Sequence, residues 1–284
     1  MSQPFLIDQI LKFLQLEDNG WETSTKGSTT PAAAQILNKD LSGKPRKKSW
    51  GYRTAVGMLS YLQCNTRPDI SMAVHQTARF CINPMLSHEQ AITRIGRYLR
   101  HTRTRGIVYK PDKTKGLECF VDADFAGGWD MSSPDDASNL MSRTGFVLKY
   151  AGCPIFWCSK LQTEIALSTA EAEYIALSSA LREVIPLMTM MLEINDIFPL
   201  HICPPDFHCT VWEDNQSCIA MATSQKISPR TKHIALKYHH FRSYVMNKKV
   251  RINYVHTESQ EADIFTKPVK NELFPKLRYL LCGW

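Results

Sequence analysis

The sequence predicts an α/β fold: a mixed five-stranded sheet, three antiparallel strands plus two parallel ones, flanked by helices and preceded by a mainly helical N-terminal segment. Three observations predict it. Strand-like alternation begins abruptly near Gly116, three such runs follow one another closely, and strands then take turns with helices.

The first part of the chain reads as short helices joined by polar loops. Residues from about Asn19 to Ser49 are rich in Ser, Thr, Gly, Lys and Pro and are expected to be largely irregular. A helix is expected from Tyr52 to Leu62, and a second from Asp69, as N-cap, to Phe80. A third should begin at Ser87, with Gln90 completing a capping box and Ile92, Ile95, Tyr98 and Leu99 as its apolar stripe. Arg94, Arg97 and Arg100 recur on another face, a row that either tracks a phosphate backbone or keeps the helix soluble.

From Gly116 the texture changes. Leu117, Cys119, Val121 and Ala123 alternate with Glu118, Phe120, Asp122 and Asp124, the period of a strand. Gly145 to Tyr150 and Pro154 to Cys158 read as the next two strands, joined by a tight turn at Ala151-Gly152-Cys153. A long helix follows, which Pro186 should kink or bring to its last turns. Cys209 to Asp214 reads as the fourth strand, with a short helix from Asn215. A helix from about Lys232 to Met246 leads to the fifth strand, Val250 to His256. A last helix should open at Thr257, with Gln260 as its capping-box partner and Pro268 limiting it. In the order βββαβααβα the later strands can join the sheet in parallel.

A chain of 284 residues, 44% apolar, can bury one large core or two small ones. It has no 18-residue uncharged apolar run, and its first residues do not resemble a signal peptide. Nine cysteines, odd in number and without a CxxC pair, fit free thiols in a reducing compartment, so an intracellular location, cytoplasmic or nuclear, is expected. His201, Cys203, His208 and Cys209 lie close together but lack zinc-finger spacing. The net charge of +7 is split. Residues 1–115 carry 18 Lys/Arg against 8 Asp/Glu (+10), and residues 116–284 carry 16 against 19 (−3). A basic half beside an acidic one points to polyanion binding next to a site that needs negative charge. The run Lys44-Pro45-Arg46-Lys47-Lys48 fits that reading and also fits an ordinary solvated loop.

One glutamate stands out. Ser168 and Glu171 form a capping box, and from there Glu173, Leu177, Ala180, Leu181 and Val184 trace one buried stripe. Glu171, in contrast, points away with Ile175, Ser178 and Arg182. Burying an unpaired carboxylate costs several kcal/mol or keeps it protonated, so a cation or a chemical role is the reason to keep one there. Asp122 on the first strand and Asp214 at the end of the fourth become neighbours if those strands are parallel and adjacent, because strand order reverses there. Glu173 reaches them from the helix, and Asp263 falls in the last helix, about two turns in. Clustered carboxylates without arginines call for hard divalent cations, Mg²⁺ or Mn²⁺.

The segments FVDADFAGG, SRTGF, FWCSKLQTEIALSTAEAEYIAL, WEDNQS, RTKHIALKYHHF and ADIFTKP resemble the RNase H domain of copia-type (pseudoviral) LTR retrotransposon Pol polyproteins. Upstream, SQPFLIDQIL, YRTAVGMLSYL, NTRPDI and RIGRYLRHT resemble the segment that follows the polymerase palm in the same polyproteins. The resemblance implies residues 1–115 as a thumb- or connection-like piece of a reverse transcriptase, without its palm, and residues 116–284 as an RNase H-like domain. It also implies hydrolysis of the RNA strand of an RNA–DNA hybrid with two Mg²⁺ ions, leaving 5′-phosphate and 3′-hydroxyl ends.

Matched motif by motif, the metal-binding catalytic set is Asp122, Glu173, Asp214 and Asp263. His256 falls where related enzymes carry a histidine that assists proton transfer, or is a strand-end residue bonded locally. Ser142, Thr144, Gln162 and Asn215 match polar positions near the scissile strand; Lys232 and His233 either touch phosphate or cap a helix. RNA–DNA hybrid and the polymerase portion of the polyprotein are the implied partners, with no membrane. Particles of the virus-like kind are the implied cytoplasmic setting. The stretch from Asp130 to Leu140 is longer than the family's first-hairpin loop. The one Asp-Asp pair, Asp135-Asp136, lacks the context of a polymerase hairpin, so no polymerase activity is expected from this chain alone. An inactive remnant that only binds nucleic acid is the alternative; the intact acidic set argues against it. A DDE-type transposase would place its glutamate after the second aspartate, whereas Glu173 precedes Asp214.

Overall fold

A computed structural model describes residues 1–17, 28–129, 137–198, 206–224 and 239–284. They divide into two compact units, Met1–Tyr109 with Lys267–Trp284, and Lys110–Thr266. The second unit therefore ends before the C-terminus, and the last 18 residues, expected to belong with it, complete the first.

The first unit is helical: α1 (Pro4–Phe13), α2 (Tyr52–Asn65), α3 (Ser71–Ala78), α4 (Leu86–His101) and the C-terminal helix Phe274–Cys282. Helix α1 starts with Pro at its first position and buries Ile7, Ile10 and Leu11. Asp69 is not an N-cap. It lies in a 3-10 turn, Pro68–Ile70, ahead of α3, and its fully buried carboxylate takes Arg67 Nε and Nη2 at 2.9 and 2.8 Å and Tyr98 Oη at 2.6 Å. Burial works against that charge, but the guanidinium and the hydroxyl outweigh it and hold Asp69 below the usual carboxylate range. Arg67 also reaches Thr102 and lies 5.5 Å from the ring of Trp284, against which Arg278 stacks at 4.1 Å. Helix α4 begins one residue earlier than expected. The His88 imidazole accepts from the Met85 amide at 2.8 Å, while Ser87 bonds to Asp40 instead of capping.

The second unit is a five-stranded sheet in the order β3-β2-β1-β4-β5, with β1 (Leu117–Asp124), β2 (Arg143–Tyr150), β3 (Cys153–Leu161), β4 (Cys209–Glu213) and β5 (Val250–Tyr254). β1–β2 and β2–β3 are antiparallel, and β1–β4 and β4–β5 are parallel. This is the mixed five-stranded sheet the sequence predicts, three antiparallel strands plus two parallel ones. The β2–β3 turn places Ala151 and Gly152 at φ 51° and 74°, the left-handed pair that a two-residue hairpin requires.

The long helix α6 (Thr169–Ile197) lays Ala172, Glu173, Tyr174, Ala176, Leu177, Ala180, Leu181 and Val184 on the sheet. It is buried more widely than one stripe, since Ile175 and Ser178, expected to face outward, are covered too. Nor does Pro186 end it: Met188 and Met191 continue the buried face beyond, and the carbonyl the proline leaves unpaired belongs to exposed Arg182. By length and composition this helix could cross a membrane, yet half of its apolar window is buried inside the protein.

A short helix, α5 (Ala137–Leu140), precedes β2, and α7 (Gln216–Thr223) follows β4. The helix expected from Lys232 is described from His239 only, as a 3-10 turn and α8 (Arg242–Met246). After β5 comes no continuous helix from Thr257 but a 3-10 turn, Thr257–Ser259, and a separate one-turn α9 (Asp263–Thr266). The break has a cause in Gln260: fully buried, it donates to the backbone of β1 and β4 instead of capping.

Candidate metal centre

β1 and β4 run in register from Leu117↔Cys209 to Phe120↔Trp212 and then part. Asp122 lies just past that point on β1, and Asp214 immediately follows β4. Glu173, the fifth residue of α6, faces the same gap. One carboxylate oxygen from each of Asp122, Glu173 and Asp214 lies within 4.8 Å of the other two. Asp122 and Glu173 are 2% and 3% exposed, so water screens them little. Two unit charges that close repel by about 3–4 kcal/mol at an effective dielectric of ~20.

The Ala123 amide donates to Glu173, whose Oε2 is buried with no hydrogen-bond partner. Burial, then the charges of Asp122, Glu213 and Asp214, push Glu173 well above the ordinary carboxylate range. Thr266 Oγ1 donates to Asp122 Oδ2, and Thr257 Oγ1 donates to Asp214 Oδ2 at 3.0 Å.

One buried carboxylate beside the cluster, Glu213, was not among the four expected. Glu213 is fully buried on β4, and its Oε1 accepts the Asn215 amide at 3.1 Å. Burial comes first among the causes that push it well above the usual range, and Asp122 and Asp214 add to it. The alternation of Cys209, Val211 and Glu213 is the signal that could have found it, because these residues share one buried face.

Asp263 is buried at the first position of α9, not two turns into a helix, and it is not one of the three converging groups. Its backbone carbonyl lies 3.2 Å from Thr266 Oγ1, which bonds to Asp122. His256 is exposed, and its Nδ1 accepts from the Glu258 amide at 3.4 Å.

The polar positions matched to the scissile strand turn inward. Ser142 Oγ accepts the Ala126 amide, and Gln162 Nε2 donates to Thr144 Oγ1 at 3.2 Å and to the Ala172 carbonyl at 2.8 Å. All three are buried. Asn215 is the N-cap of α7, accepting from the Cys218 amide. Lys232 and His233, with His201 and Cys203, lie outside the described residues. In the first unit Arg94 is anchored on Thr30 through Nε and Nη2, Arg100 is half-buried and Arg97 is exposed.

Three hard oxygen donors around one point, on side chains that include a buried Glu173 oxygen without a hydrogen-bond partner, fit a divalent cation. The eight described cysteines are free thiols, and among the described residues none joins a metal-holding group.

No protein-family model matches the chain. In an alignment of 288 positions that covers 99% of its length, it is 33% identical to the retrovirus-related Pol polyprotein from transposon TNT 1-94 of Nicotiana tabacum. Over 251 residues, 88% of its length, it is 33% identical to the Pol polyprotein from transposon RE1 of Arabidopsis thaliana. Its homologues at 33% identity over most of its length are thus Pol polyproteins of copia-type transposons. It spans 20% and 16% of the length of those two relatives. About half of the chain, 138 residues, is 38% identical to the secreted RxLR effector protein 161 of Plasmopara viticola, of which it covers 92%. Among solved structures, LC11-RNase H1 in complex with RNA/DNA hybrid aligns with 56% of the chain and 97% of its own length, at 17% identity and a TM-score of 0.36.

Proposed function

We propose that the second unit is a ribonuclease that hydrolyses the RNA strand of RNA–DNA hybrids. The observation that carries this reading is the convergence of Asp122, Glu173 and Asp214, the residues on which the copia-type motifs FVDADFAGG, STAEAEY and WEDNQS fall. Asp122, Glu173 and Asp214, with Asp263 beside them, would hold Mg²⁺ or Mn²⁺. When bound, such ions would supply Lewis acidity for activating a water and steadying the departing 3′-oxygen.

The chain's own groups do the rest. The Ala123 amide orients Glu173, and the Thr257 and Thr266 hydroxyls orient Asp214 and Asp122. His256 is exposed, with Nδ1 accepting from the Glu258 amide, and its ring is a candidate for assisting proton transfer at the leaving oxygen. Ser142, Thr144 and Gln162 are buried and bonded within the protein; Asn215 at its N-cap and exposed Arg97 are candidates for contact with the hybrid.

Incubating the purified chain and Mg²⁺ with a labelled RNA–DNA hybrid tests the proposal. Cleavage of hybrid but not of duplex DNA is expected, with most activity lost in Asp214→Asn. A parent chain that leaves the hybrid intact would rule the reading out in favour of an inactive remnant.

A further inference from the structure

Three ties to the acidic cluster come from one stretch of chain, residues 257–266. Thr257 bonds to Asp214, Gln260 Nε2 donates to the carbonyls of Val121 (2.9 Å) and Trp212 (3.4 Å), and Thr266 bonds to Asp122. The two carbonyls that Gln260 joins lie where β1 and β4 part, one and two residues before the aspartates. Gln260 therefore spans the gap that the carboxylates surround. Thr266 acts on a carboxylate directly. It is fully buried, and its hydroxyl donates to Asp122 Oδ2, with the Asp263 carbonyl at 3.2 Å as the more distant acceptor.

The approach of Thr266 depends on Gly145, the residue paired with Asp122 across the ladder. A Cβ on Gly145 would come within 2.5 Å of Thr266 Cγ2 and 2.8 Å of Phe265 Cβ. The sheet thus leaves room beside Asp122 for one side chain, and that side chain is a hydrogen-bond donor.

We infer that Thr266 is a positioning residue for the cation site: its hydroxyl holds one oxygen of Asp122 and so fixes the plane in which that carboxylate is presented to an ion. An aspartate held in this way has less orientational freedom to lose when an ion binds, so the donor raises affinity without touching the ion or the substrate. The inference rests on the ribonuclease reading for its catalytic consequence, but not for its effect on ion binding.

The test is Mn²⁺ titration calorimetry on the full chain, together with steady-state hybrid cleavage, for the parent, Thr266→Val and Thr266→Ser. Thr266→Val keeps the shape and loses the donor. It should bind Mn²⁺ about tenfold or more weakly, the range seen when a group behind a metal ligand is removed. Its kcat should fall by a similar factor while KM for the hybrid stays unchanged. Thr266→Ser keeps the donor and should restore both. Parent-like affinity in Thr266→Val overturns the inference, and so does a Thr266→Ser chain as impaired as Thr266→Val, which would assign the role to the methyl group. Should Thr266→Val fail to fold, Thr266→Ser decides alone: parent-like affinity supports the inference and lost affinity overturns it. A parent that binds Mn²⁺ but cleaves no hybrid removes the ribonuclease reading and leaves the calorimetric comparison standing. A parent that binds no Mn²⁺ overturns the inference together with the cation site.

Discussion

Glu173 on α6 and Glu213 on β4 are both buried, and each is pushed well above the ordinary carboxylate range by burial and by the aspartates beside it; the charge of Glu213 also acts on Glu173. Folding alone does not compensate this concentration of acid. The site is a local cost to the metal-free protein.

That cost depends on pH. A carboxyl whose folded pKa lies above its unfolded value of about 4.5 binds more protons when folded, so stability is greatest below that value and falls as pH rises. Without divalent ions, the thermal midpoint is expected to drop as pH is raised from 5 towards 8. Adding Mg²⁺ should flatten the decline. Melts followed by circular dichroism in EDTA and in Mg²⁺ check this; a metal-free midpoint that rises across the range would contradict it.

The first unit should respond in the opposite sense at low pH. Asp69 is held below the usual range by Arg67 and Tyr98, so its contribution is present above about pH 4 and is lost as pH falls through the folded value. Asp69→Asn leaves the Arg67 guanidinium buried without its counter-charge, and removal of one partner of such a pair costs about 3–5 kcal/mol. Denaturant unfolding should show a loss of that size. A change below about 1 kcal/mol would mean that water reaches Arg67.

At the β2–β3 turn, Ala151 adopts φ 51°, a conformation that costs an alanine about 1–2 kcal/mol. Ala151→Gly relieves it, partly offset by the greater freedom of glycine in the unfolded chain. A gain of a few tenths to about 1 kcal/mol in equilibrium unfolding is expected, with hybrid cleavage unchanged.

Gly145→Ala should do the reverse. The added methyl meets Thr266 and Phe265, so α9 has to shift away from Asp122, at about 1–3 kcal/mol for overpacking. Mn²⁺ affinity should fall with stability in this variant, whereas Ala151→Gly changes stability alone. Calorimetry on the two variants separates the effects.

What could be read in the sequence was what repeats locally. Glu173 was legible because a helix returns to the same face every three to four residues, so its place in the stripe of Leu177, Leu181 and Val184 marked it as buried before any fold was known. The mix of three antiparallel and two parallel strands followed from strand alternation and from the helices between the later strands. Long-range partners were not legible. Asp69 after a proline turn carries the local pattern of an N-cap, and nothing nearby announces Tyr98, 29 residues on. Gln260 three residues after Thr257 matches a capping box, but its amide serves Val121, 139 residues away. Pro186 weighed as a helix breaker, yet the burial of Val184, Met188 and Met191 on both sides of it carried the helix through. The return of 267–284 to the first unit depends on contacts such as the 2.9 Å bond from the Val108 amide to the Cys282 carbonyl, which no periodicity encodes.

Whether Asp122, Glu173 and Asp214 hold a cation is the question on which the functional reading turns, and anomalous scattering from crystals soaked in Mn²⁺ answers it most directly. The account predicts a manganese peak within coordination distance of all three carboxylates, absent in Asp214→Asn. Well-ordered crystals of the parent with no peak there at millimolar Mn²⁺ would contradict it.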